Sequence, residues 1–201
     1  KGGTVENCVN QVTVTATVKG YIAGVVANAY TGTSIQNCTN QGAINGSGDY
    51  VGGIAGSASA VTIENCINQA AVTNTGKPGG YSYNTGGIAG SVSMATSKIA
   101  RCGNTGAISS TIKRTGGIAG SVAGTVESCF NTGDVTGIYG IGGIVGGFTG
   151  KDTRITDCYN WGDISCNTPT VIFTDKNTKG VGGIAGDPSS NSNTGTVLTN
   201  C

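Results

Sequence analysis

The chain has 201 residues, a formal net charge of +1, 10% charged residues and no histidine. So even a balance gives no footing for nucleic acid or an acidic membrane surface, and no apolar run approaches the roughly 20 residues of a membrane helix. Glycine at 37 residues against proline at 3 excludes collagen and a proline-rich linker.

In chain order, two short patterns alternate from one end to the other. The first unit (residues 1–32) opens with VENCVNQVTV from Val5 and carries a loose GYIAGVV from Gly20. The second (33–60) has IQNCTNQGAI from Ile35 and GGIAGSA from Gly52. In the third (61–96), IENCINQAAV from Ile63 is followed by an insertion at 73–85, which runs into TGGIAGSV at 85–92. The fourth (97–124) reads IARCGNTGAI from Ile99, then TGGIAGSV again at 115–122. The fifth (125–150) has VESCFNTGDV from Val126 and GGIVGGF from Gly142. In the sixth (151–195), ITDCYNWGDI from Ile155 and GGIAGDP from Gly182 flank the longest insertion, 165–181. A partial seventh unit (196–201) begins LTNC at Leu198.

Rigid segments of fixed length joined by insertions of free length are the signature of stacked coils. Helices are excluded, because glycine and β-branched residues fill the units and no 3.6-residue apolar period appears. Cys, Asn, Gly and Val/Ile stand two residues apart, so in an extended chain they share one face. The aliphatic residue three before each Cys needs a turn between them if both are to face inward. The chain is therefore predicted to be an all-β, parallel β-solenoid, one domain of six coils plus the start of a seventh. The usual crossover preference makes it right-handed. Three strands per coil are expected: one with Cys and Asn, a short one with Val/Ile, and GGIAG itself. Ile54, Ile88, Ile118, Ile144 and Ile184 should stack as one apolar row, and Val14, Ile44, Val72, Ile108, Val135 and Ile164 as another. Each buried side chain contributes roughly 1.5–3 kcal/mol.

The alternation of I-x-N-C-x-N-x-G-x-I with GGIAG resembles the GLUG repeat of bacterial surface proteins, over nearly the whole chain from Val5 to Cys201. That resemblance implies a secreted or cell-surface location and a structural or adhesive role. GLUG repeats occur in large adhesin-like proteins and in some cell-wall-anchored, immunoglobulin A-cleaving metallopeptidases. The motif brings no catalytic residue with it. This chain departs from the usual form by placing Cys at the fourth position, and its first copy has Val12 for glycine and Tyr21 for the second glycine of the pair.

The repeated polar residues have structural readings. Asn10, Asn40, Asn68, Asn104, Asn131 and Asn160 are predicted to form an asparagine ladder, each amide bonded to the next. Cys8, Cys38, Cys66, Cys102, Cys129, Cys158 and Cys201 form a second ladder, with Cys166 alone in a loop. Neighbouring rungs lie about 4.8 Å apart, yet parallel in-register side chains do not readily reach the near-90° torsion of a disulfide. The thiols are therefore expected to be mostly reduced and buried, as small hydrophobes. Without histidine or close cysteine pairs, no metal site or other cofactor is expected.

Candidate ligand contacts fall on the two long insertions, which leave the same corner: Tyr81 and Tyr83 on the first, Phe173, Asp175 and Lys176 on the second. Loops on a rigid scaffold are where binding residues gather. The expected partner is a host or neighbouring-cell protein or glycan, with neither nucleic acid nor membrane insertion. An enzymatic alternative, a polysaccharide lyase or hydrolase, would use the charged cluster of the sixth coil: Asp152, Arg154, Asp157, Asp163, Asp175, Lys176 and Lys179. An ice-binding alternative rests on Thr13, Thr15 and Thr17 of the first coil, and the reading disfavours it because that rank is not expected to recur from coil to coil. The first residues do not read as a signal peptide, so an exported protein has shed its leader or the chain is part of a longer one. Ending in mid-repeat, the chain is expected to continue in a longer parent or to stack head to tail into filaments.

Overall fold

The computed structural model describes residues 2–17, 19–76, 83–167, 180–187 and 197–201. Each coil makes five short strands. In the second coil these are Ser34–Gln36, Thr39–Asn40, Ile44–Gly46, Tyr50–Gly52 and Ala55–Ser59. Every strand pairs in parallel with its counterpart one coil away, giving five sheets, here numbered I to V in that order. Among the described residues, sheet I has seven strands, the last being Val197–Thr199, and the other four have six. This is the expected parallel β-solenoid, with five strands per coil rather than three.

The extra strands come from turns at two places. Between sheets I and II, the residue before each repeat cysteine adopts positive φ: Asn7, Asn37, Asn65, Arg101, Ser128, Asp157 and Asn200, all between 51° and 56°. Asparagine tolerates this left-handed region better than most residues. The turn lets the aliphatic residue and the cysteine both face inward. Ile35 and Cys38, like Ile63 and Cys66, are fully buried.

The second turn corrects the reading of GGIAG as a strand. Gly52 ends sheet IV, Gly53 and Ile54 form a corner, and Ala55 begins sheet V. Its glycines are there for close approach. A Cβ on Gly87 would stand 2.2 Å from the Gly117 carbonyl oxygen and 2.4 Å from Cγ of Asn104. A Cβ on Gly90 would stand 2.7 Å from the Val51 nitrogen, because sheet V lies back against sheet IV at backbone distance. Register also corrects the first copy. Ile22 pairs with Val51, Ala23 with Gly52 and Val26 with Ala55, so the corner of the first coil is Ala23–Val26 and not the stretch from Gly20. Tyr21 therefore replaces no glycine; its ring stacks on Tyr50 with centroids 5.5 Å apart.

Two apolar cores result. One holds Ile54, Ile88, Ile118 and Ile144 with the cysteines and the aliphatic row of sheet I. The other packs Ile44, Val72, Ile108 and Val135 of sheet III against Ile22, Val51 and Ile141 of sheet IV. The end members Val14, Ile164 and Ile184 are only partly buried.

Candidate binding surface

The asparagine row is continuous. Nδ2 donates to the next Oδ1 from Asn10 to Asn40, Asn40 to Asn68, Asn68 to Asn104, Asn104 to Asn131 and Asn131 to Asn160, at 2.6–2.7 Å. The second amide hydrogen is used locally, as from Asn68 to the Ala70 carbonyl and from Asn104 to that of Gly106, both 2.8 Å. The four central amides are fully buried and satisfied, so they are occupied by structure rather than offered to a ligand.

All eight cysteines carry thiols and none is in a disulfide. Cys38, Cys66, Cys102, Cys129 and Cys158 are buried; Cys8 and Cys201 at the ends of the row are exposed. Cys166, expected in a loop, closes the sheet III strand Ile164–Cys166 and is exposed. Each buried Sγ donates to the carbonyl two residues back, as Cys66 does to Glu64 at 3.2 Å. Burial pushes the Cys38 thiol up to about 11 and holds Cys102 well above the ordinary range. Cys158 is raised by its hydrogen bond with the Cys129 thiol and by burial. The thiols of Cys38, Cys102 and Cys158 are thus held protonated and poorly nucleophilic, whereas hydrogen bonds with neighbouring thiols, that of Cys102 foremost, shift Cys66 and Cys129 downward. Among the described residues, no group of three or more Cys, Asp and Glu side chains is placed to hold a metal ion.

The outer face of sheet III is different. Thr15, Asn45, Thr73, Ser109, Thr136 and Ser165 stand in register, one per coil. The hydroxyls of Thr136 and Ser165 are 2.8 Å apart. Threonine itself does not recur from coil to coil, standing here only at Thr15, Thr73 and Thr136; what recurs in every coil is hydrogen-bonding capacity. Two residues further on, Thr17, Ser47, Thr75 and Thr111 form a second rank, kept in step by Thr75 N–H bonded to the Gly46 carbonyl and Thr111 N–H to that of Asn74. Threonine, serine and asparagine substitute for one another here, which hid the rank from a search for one repeated residue.

Between the ranks, coils one to three enclose a hollow of about 190 Å³, lined by Thr15, Thr17, Asn45, Ser47, Thr73 and Thr75 over Ala16 and Gly46. A second hollow, of about 280 Å³, adjoins it, shares Ser47 and Thr75, and adds Lys19, Asp49 and Tyr83. Sheet III is braced from within. Buried Asn74 donates to Thr85 Oγ1 at 3.1 Å, and Thr85 Oγ1 donates to Ser110 Oγ at 3.2 Å.

Both long insertions connect sheet III to sheet IV. Tyr83 thus lies at the groove, while Tyr81, Phe173, Asp175 and Lys176 fall outside the described residues. In the sixth coil, Asp157 sits at the turn between sheets I and II and accepts from Asn200 Nδ2 at 2.9 Å. Asp163, between sheets II and III, donates its backbone N–H to Asp134 Oδ1 at 3.1 Å. Asp152 and Arg154 are exposed, and Lys179, like Asp175 and Lys176, lies outside the description. Sequence reasoning also passed over outward aromatics of sheet II and its edge: Phe130 and Tyr159 stack with centroids 5.7 Å apart, and Trp161 is 83% exposed. No protein-family model, curated protein or solved structure matches the chain.

Proposed function

We propose that this chain is a GLUG-type, non-catalytic repeat module of a secreted or cell-surface bacterial protein, which presents a binding face to a host or neighbouring-cell protein or glycan. The observation that carries the reading is the groove on sheet III. It lies on strands held in register from coil to coil, and its hollows reach Tyr83, beside the first long insertion. Loops carried on a regular scaffold are a usual place for recognition residues.

The test is a glycan and host-protein array probed with the native chain and with a variant in which residues 77–82 are deleted. Selective capture that weakens in the variant, with the captured glycan recovered intact, is the expected result. Release of shortened saccharide, lost on Asp157→Asn or Asp163→Asn, would replace the module with an enzyme of the sixth coil.

A further inference from the structure

We infer that the groove between the two ranks of sheet III is the seat of a neutral, linear polysaccharide lying along the solenoid axis. This rests on the binding-module reading and names the ligand class of its face.

Three observations lead to it. First, the lining is a succession of coils rather than a closed pocket: Thr15 and Thr17, then Asn45 and Ser47, then Thr73 and Thr75. Equivalent groups recur about every 4.8 Å, one strand spacing, so they match a ligand that itself repeats along its length. Secondly, the chemistry is that of polyol recognition. Hydroxyls donate and accept, and the amide of Asn45 does both with separate atoms. A sugar hydroxyl needs both kinds of partner, whereas a phosphate or sulfate calls for a cluster of cations. The ranks contain no ionisable group, and among the described residues the adjoining hollow has one lysine and one carboxylate, Lys19 and Asp49, which offset each other. Thirdly, Tyr83 lines that adjoining hollow, and an aromatic ring suits the C–H face of a pyranose while its hydroxyl stays wet. A protein partner would be expected to find a cluster of buried aromatic or aliphatic anchors, and among the described residues the groove offers one ring, Tyr83.

The decisive experiment is affinity electrophoresis of the full chain through gels containing xylan, galactomannan or hydroxyethylcellulose, with polygalacturonate as the charged comparison. At least one neutral polymer should retard the native chain, and polygalacturonate should not. Thr73→Arg, which fills the groove from an outward position, and Tyr83→Ala should each weaken retardation about tenfold, equivalent to about 1.4 kcal/mol. Thr62→Arg, on the outer face of sheet I in the same coil, should leave retardation unchanged, and thermal unfolding checks that all three variants fold. Retardation by none of the neutral polymers, equal retardation by polygalacturonate, or indifference to Thr73→Arg would overturn the inference. So would inhibition of ice growth without saccharide affinity, which would assign the ranks to ice. A chain that captures an array ligand regardless of Thr73→Arg keeps the module reading and loses the groove; capture of nothing in either assay removes both.

Discussion

The same amide chemistry appears twice in this molecule with different consequences. Asn104 accepts from Asn68 and donates to Asn131 and to the Gly106 carbonyl, all out of contact with water. Gln41 sits in a parallel row, accepting from Gln11 at 3.2 Å and donating to Gln69 at 3.0 Å, but on the exposed surface. Removing Asn104 strands buried partners, each worth about 1–3 kcal/mol. Asn104→Ala should therefore lower stability by about 3 kcal/mol or more, while Gln41→Ala stays within about 0.5 kcal/mol, both read from denaturant midpoints. The thiols give a second contrast. A thiol reagent should reach Cys8, Cys166 and Cys201 in the native protein and the five buried cysteines only after unfolding. Because the Cys38 thiol is raised from 9.0 to about 11, the unfolded chain loses that proton first as pH rises. The stabilisation is complete below pH 9 and disappears towards pH 11, so unfolding midpoints should fall across that window. Cys38→Ala should flatten the fall.

At the scale of the element, glycine decides where strands end and how closely sheets approach. Gly87→Ala would drive a methyl into the Gly117 carbonyl and the Asn104 amide, with backbone on one side and a hydrogen-bonded ladder on the other. Overpacking of that kind should cost about 3 kcal/mol, whereas Gly3→Ala, with nothing within 4 Å of the new methyl, should be close to neutral. Thermal melts of the two variants make the comparison. These corners also mark what was legible in the sequence and what was not. The period-two run from Cys38 to Ile44 announced a strand face, and its residues are buried as that face requires. GGIAG looked like a strand because Ile and Ala carry strand propensity, but three glycines in five residues belong to a place where backbones meet. The asparagine before the cysteine in VENC, QNC and LTNC was a usable signal for the left-handed turn, and it would have given one of the two extra strands of each coil; the other comes from the glycine corner.

Over the whole molecule, repetition made the fold readable and the site obscure. Interior rows repeat nearly the same residue, as isoleucine does from Ile54 to Ile144, so they appear in a bare alignment of the units. The outer ranks repeat a property, hydrogen-bonding capacity, carried in turn by Thr15, Asn45, Thr73 and Ser109, and only strand register lines them up. Everything proposed about the groove depends on that register holding from the first coil to the sixth. Spin labels at Thr15 and Ser165, both outward and exposed, with the three exposed cysteines changed to serine, test it directly. Five strand spacings separate the two positions, so a narrow dipolar distance distribution near 24 Å is predicted, shortening by one strand spacing for the pair Asn45 and Ser165. A broad distribution, or a distance that does not change by one spacing between the two pairs, would contradict the stacked, in-register solenoid.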